Sequence, residues 1–225
     1  MLSQTIGDLL PVAAGVALSP IPIIAVILIL GTPAARSNGA AFAGGWIAGL
    51  VVVSVATMAL ADGAADPTSS SATGVKWFQV TAGALFLAMA ARQWRSRPQE
   101  GQEPQMPAWM AAIDGFGPGR SAGFGALLSG PNPKNLALTV AGAASIAQAD
   151  LASGDAALAV SVFVVVASFT VVGPVVWFLL APERAVRSLQ AIKGFMVDNN
   201  AAIMMVVLLV LGLKLLGQGL GALGS

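Results

Sequence analysis

The chain has 225 residues, of which 56% are hydrophobic and only 9% charged. Soluble domains carry about 25% charged residues, so a water-facing exterior is excluded and lipid must solvate most of the surface; a formal net charge of +1 points to no nucleic-acid partner. With no Cys and no His, disulfides, thiolate chemistry, histidine metal ligands and His-based catalytic triads are excluded as well.

Crossing a hydrocarbon core about 30 Å thick takes roughly 20 apolar residues. Runs of that size fall at residues 9–30, 40–61, 75–91, 121–147, 156–180 and 201–220, separated by short polar breaks. No basic residue precedes the first run, since the first is Arg36; the run reads as a retained span and not as a cleaved signal. The fold class expected is an all-α integral membrane protein with six transmembrane helices. Trp77 and Trp177 stand near span ends, where aromatic belts form. The 62–74 stretch is turn-forming, the 95–120 stretch is polar and rich in Pro and Gly, and its MPAWMAAIDGF segment suits the membrane interface.

The loops sort by charge. Arg36 lies in the first, Arg92, Arg95, Arg97 and Arg120 in the third, and Arg184, Arg187 and Lys193 in the fifth. The second holds only Lys76, and the fourth only the acids Asp150 and Asp155. The positive-inside rule places the odd loops in the cytoplasm and both termini outside; the membrane expected is the plasma membrane.

Residues 15–22 (GVALSPIP) and 125–133 (GALLSGPNP) are alike, with one extra residue in the second copy. They lie in the first span of each three-span half. An odd number of spans per half makes the second copy enter the membrane from the opposite side, the pattern of inverted repeats that place a site between broken helices. The single membrane domain, 1–225, divides accordingly into a first three-helix repeat (1–91), a cytoplasmic linker (92–120) and a second repeat (121–225). Helices 1 and 4 are expected to break at the Pro-x-Pro motifs, because each proline removes a donor and clashes with the carbonyl four residues back. Freed backbone groups are not tolerated against lipid, so the stretches Ser19, Pro20, Ile21, Pro22 and Ser129, Gly130, Pro131, Asn132, Pro133 are expected to face inward and lie close together.

Asn132, Lys134 and Asn135 stand near the middle of the fourth span. A lysine at the centre of a membrane helix costs roughly 2.5–3.5 kcal/mol to insert, and no acidic residue stands at similar depth in any span. Three arrangements are open for Lys134: it bonds carbonyls freed by the prolines, it is neutral, or it receives an anionic group of a substrate. Lys214 in the sixth span is close enough to the end to snorkel, and Gly173-Pro174 reads as a kink. The small-residue runs Ala43-Gly44-Gly45 and Gly212, Gly217 and Gly221 read as close-packing surfaces.

LSPIPIIAVILIL, the basic Ala35-Arg36-Ser37-Asn38-Gly39 loop and the following GGW, together with GPNPKNLALTVAGAASIAQA, resemble the glycopeptidolipid- and sulfolipid-addressing (GAP) family of actinobacterial membrane proteins, within the LysE exporter superfamily. The resemblance spans nearly the full length. It implies a six-helix transporter-like fold of two three-helix repeats and a role in exporting cell-envelope lipids. It matches Ser19, Pro20 and Pro22 to the first motif and Asn132, Pro133, Lys134 and Asn135 to the second.

The expected function is an exporter or flippase-like carrier for an envelope lipid or lipid-linked saccharide with an anionic headgroup. An amino-acid exporter of the LysE type is one alternative, since Lys134 could hold a carboxylate. A scaffold for lipid export machinery, docking through the 92–120 loop, is another. No residue set for acid–base or nucleophilic work is present, so an enzyme is not expected. Neither a metal nor a cofactor is called for: hard cations need several oxygen ligands, and no nucleotide motif occurs. Three helices per half enclose little, which makes a homodimer a natural arrangement.

Overall fold

The computed structural model describes residues 1–63, 71–95, 110 and 112–223. Among these the chain is helical and contains no strand. In chain order the helices are α1 (Leu2–Ala17), α2 (Pro20–Leu30), α3 (Ala35–Gly63) and α4 (Ser71–Arg95). After a 3-10 turn at Ile113–Gly115 come α5 (Pro118–Ser129), α6 (Pro133–Ala147), α7 (Ser153–Leu180), α8 (Pro182–Asp198) and α9 (Asn200–Leu223). Residues 64–70 of the turn-forming stretch and 96–109 of the linker, Trp109 included, lie outside the described residues.

Among the described residues three stretches are long and apolar enough to cross a bilayer: Ala35–Ala61, Ser153–Leu180 and Asn200–Gly221. The α1–α2 pair, bent by 55°, makes a fourth if taken as one span. The chain is therefore an all-helical membrane protein. The other two segments read as spans are also helical, but more polar: α4 ends in RQWR, and the α5–α6 pair carries Arg120, Asn132, Lys134 and Asn135.

Prolines set the helix starts. Pro20, Pro118, Pro133 and Pro182 each open a helix, where the missing N–H would have lacked an intrahelical partner anyway. Pro174 instead lies inside α7, which continues through it.

Glycines let two helix pairs approach backbone to backbone. On the α3–α5 seam, a Cβ at Gly45 would run into the Ala122 carbonyl, and one at Gly125 into the Phe42 carbonyl. On the α4–α9 seam, a Cβ at Gly83 would stand 2.8 Å from the Leu216 nitrogen and 2.9 Å from the Gly212 carbonyl. Small residues at helix contacts are how membrane helices gain packing without a hydrophobic driving force. The expected small-residue runs are only partly used: Gly45 and Gly212 sit at contacts, whereas Gly44, Gly217 and Gly221 meet nothing within 4 Å.

Other contacts fix which ends meet. Asn38 Nδ2 donates to the Phe116 carbonyl at 2.8 Å, tying the start of α3 to the turn before α5. Phe116 meets Phe124 edge-on at 5.6 Å beside it, and α8 packs on α2. Arg36, Arg120, Arg184 and Arg187 are therefore gathered at one end. At the other end Lys214 Nζ donates to the Asp8 carbonyl at 2.7 Å. Lys214 thus has a defined partner on α1, where snorkelling alone was expected.

The fifth loop, which carries Arg184, Arg187 and Lys193, is itself helical over α8. α8 is a 17-residue amphipathic helix, with Ala185 and Leu189 buried against the bundle.

Candidate functional site

Both proline motifs interrupt a helix. The residue before a proline is driven out of the α region, and Ser19 (φ −91°, ψ 109°) and Asn132 (φ −59°, ψ 118°) both turn extended there. In an unbroken helix the carbonyl of residue i bonds the N–H of i+4. Pro20 and Pro22 therefore leave the carbonyls of Val16 and Leu18 without that donor, and Pro131 and Pro133 do the same to Leu127 and Ser129.

The carbonyl between each such pair loses its helical partner too, and each is taken by a side chain. Thr170 Oγ1 on α7 donates to the Ala17 carbonyl at 2.6 Å. Asn135 Nδ2 on α6 donates to the Leu128 carbonyl at 2.9 Å. Ala17 and Leu128 each stand three residues before the first proline of their motif, so both breaks are closed by the same device. Thr170 carries no motif and was not singled out in the sequence. Thr170→Val removes the donor and leaves a buried carbonyl unpaired, at an expected cost of about 1–3 kcal/mol; thermal unfolding in detergent measures it.

The two breaks then meet. Lys134 Nζ donates to Ser19 Oγ at 2.5 Å, Ser19 Oγ donates to Asn135 Oδ1 at 2.9 Å, and Asn135 passes on to Leu128. A directed hydrogen-bond chain thus runs from an amine, through the start of α2, to the end of α5. All three side chains are buried: Lys134 is 5% exposed, Ser19 4% and Asn135 0%. Asn132 completes the second break by capping α6, its Oδ1 accepting from the backbone N–H of Lys134 at 3.2 Å and of Asn135 at 3.5 Å.

Two helix N-termini converge on this chain, because Ser19 precedes α2 and Lys134 lies in the first turn of α6. A helix N-terminus behaves as roughly half a positive charge, so a lysine there gains nothing from the dipole while an anion gains from both helices and from the amine. Among the described residues no acidic side chain is paired with Lys134.

The predicted residues separate into two sets. Ser19, Pro20, Pro22, Ser129, Lys134 and Asn135 are buried. Pro131 and Pro133 are exposed and Asn132 is half-buried, and Ile21 of the first motif is exposed as well, which corrects the expectation that both motifs face inward throughout. At the second break Ser129 and Gly130 before the prolines and Lys134 and Asn135 after them turn into the bundle, while the Pro-Asn-Pro segment between them faces outward. Ser129 aligns with Ser19 but does another job: its Oγ donates to the Ala126 carbonyl at 3.2 Å and packs against Gly49. On the outer side of the same break lies an apolar cleft of about 550 Å³, walled by Ala48, Gly49, Val52 and Val53 of α3 and by Ala126, Gly130, Pro131 and Leu136.

Ser19→Ala leaves the amine of Lys134 without its partner. An unsatisfied buried donor costs about 1–3 kcal/mol, and more when charged. The expected result is a clear drop in melting temperature, largely restored when Lys134→Met is added; a thermal-shift series on the two single variants and the double variant measures it.

No curated protein and no solved structure matches the chain. A family profile does: that of the Sap, sulfolipid-1-addressing protein, over residues 9–221. The matched stretch contains both breaks, the Lys134–Ser19–Asn135 chain and the cleft, and the protein belongs to that family.

Proposed function

We propose that the protein is a plasma-membrane transporter, an exporter or flippase-like carrier, for a cell-envelope lipid or lipid-linked saccharide with an anionic headgroup. The carrying observation is the convergence of two interrupted helices, by their N-termini, on the buried amine of Lys134. Helix N-termini bind anions through backbone N–H groups and dipole, and transporters built on broken helices use this arrangement for anionic substrate groups. The headgroup anion is received at Lys134, Ser19 and Asn135, and the apolar cleft on the outer side of the second break takes the hydrocarbon tail. The family, named for sulfolipid addressing, supports a lipid of this type.

The reading includes six spans arranged as two inverted repeats with both termini outside. Packing supports it: α1 packs on α7 as α5 packs on α3, α4 pairs with α9, and α3 meets α7. Each of these four contacts maps onto another of them, or onto itself, when the halves are exchanged. The gathering of the basic loops at one end supports the orientation. The protein binds and moves its substrate without covalent chemistry.

Purified protein reconstituted in liposomes tests this. Transbilayer movement of a fluorescent sulfated or phosphorylated glycolipid, faster than in empty liposomes and faster than that of a zwitterionic analogue, is expected. Movement of a free amino acid with no movement of lipid would assign the same site to a carboxylate and overturn the lipid reading.

A further inference from the structure

α8 joins two of the stretches long and apolar enough to cross a bilayer, following α7 directly at Leu180 and leading into α9 at Asn200. Its position along the membrane normal is therefore set: it lies where α7 leaves the hydrocarbon and α9 enters it. Its sequence is built for that layer. Arg184 and Arg187 are exposed, three residues apart and so on one face. Ala185 and Leu189 are buried in the bundle, while Val186, Ile192 and Phe195 are exposed at 41%, 39% and 57%. Lys193 is half-buried, and the acids of the helix, Glu183 and Asp198, stand at its two ends. A cationic face with large apolar side chains beside it is the pattern of helices lying in a membrane interface. Exposed Arg36 and Arg120 stand at the same end of the bundle.

α8 also touches the functional architecture. Val186, Leu189 and Gln190 face Ile27, Leu30 and Gly31 at the C-terminal end of α2, whose other end is the Ser19 break. What α8 binds is therefore connected by one rigid helix to the site.

We propose that α8 is a binding surface for anionic phospholipid of the bilayer leaflet: Arg184 and Arg187 take the headgroup phosphates, and Ile192 and Phe195 enter the acyl boundary. The complementarity is of charge along one face and of hydrophobicity along its flanks. The inference needs α7 and α9 to cross the membrane, but it is independent of the transport reading.

The chain has no Cys, so Ile192→Cys provides a single site for a nitroxide. In full-length protein reconstituted into bilayers of phosphatidylglycerol and phosphatidylcholine, the label is expected at the headgroup–acyl boundary, accessible to oxygen and shielded from a water-soluble relaxant. A water-accessible label would overturn the proposal, and this readout leaves the arginines intact. In the same mixture, spin-labelled phosphatidylglycerol is expected to associate with wild-type protein in preference to phosphatidylcholine. The preference should fall about fivefold for each arginine lost in Arg184→Gln and Arg187→Gln, and persist in the Arg36→Gln/Arg120→Gln control. No preference in the wild type, or an equal loss in the control, would contradict a site on α8. Failed lipid transport with these results intact would count against the proposed function alone.

Discussion

Lys134→Met is expected to lower substrate transport by roughly 10–150-fold while leaving the protein as stable as the wild type or more so. Hydrogen bonds to charged groups contribute about 1.5–3 kcal/mol, which corresponds to that factor when the lost contact is the one to the substrate anion. Stability should move the other way. A buried ionisable group replaced by an apolar one of similar length is often neutral or stabilising, and Met keeps the volume of the lysine stem. Ser19 still donates to Asn135 in the variant, so the two breaks stay joined. Liposome flux and thermal unfolding, measured on the same preparation, read both effects. Loss of stability together with loss of flux would mean that the amine holds the fold and serves no substrate; normal flux would remove Lys134 from the mechanism.

The second large effect is expected at the α3–α5 seam. Gly125→Val places a branched side chain where the backbone of Phe42 and Trp46 already lies, the Trp46 nitrogen being 2.9 Å from the Cβ position. The neighbour is backbone and cannot rotate away. Overpacking costs typically about 1–3 kcal/mol and occasionally more, and here it also pushes on α5, whose end forms the second break. A lowered melting temperature and a reduced monodisperse yield are expected. Gly44→Val, one helical face away with nothing within 4 Å, is the control and should be nearly silent. Equal behaviour of the two variants would show that α3 and α5 are not in close contact.

The parts of this architecture that were readable in the sequence share a cause: each carries a large, local energetic penalty. Two prolines separated by one residue cannot continue a helix, so both breaks were visible. A lysine among Leu, Val and Ala has no cheap place in a membrane, so Lys134 and its Asn neighbours stood out. What escaped detection rests on tertiary contact or weak periodicity. Thr170 closes the first break, yet a lone threonine in an apolar helix has no local signature. α8 was hidden because its charges dilute an apolar repeat (Ala185, Leu189, Ile192, Met196) that falls at helical spacing. The outward turn of Pro131 and Pro133 depends on the way α6 restarts after its Asn132 cap, a matter of backbone direction. Gly44 and Gly45 are indistinguishable in sequence; only the approach of α5 separates them.

Electron cryomicroscopy of the full chain in a lipid nanodisc tests the central claim most directly, through the surroundings of the Lys134 amine. The expected map shows α2 and α6 beginning side by side, with Nζ of Lys134 within hydrogen-bond distance of Ser19 Oγ and Asn135 bonded to the Leu128 carbonyl. Continuous helices through residues 17–22 and 129–133, or an amine directed to the lipid headgroups, would contradict it.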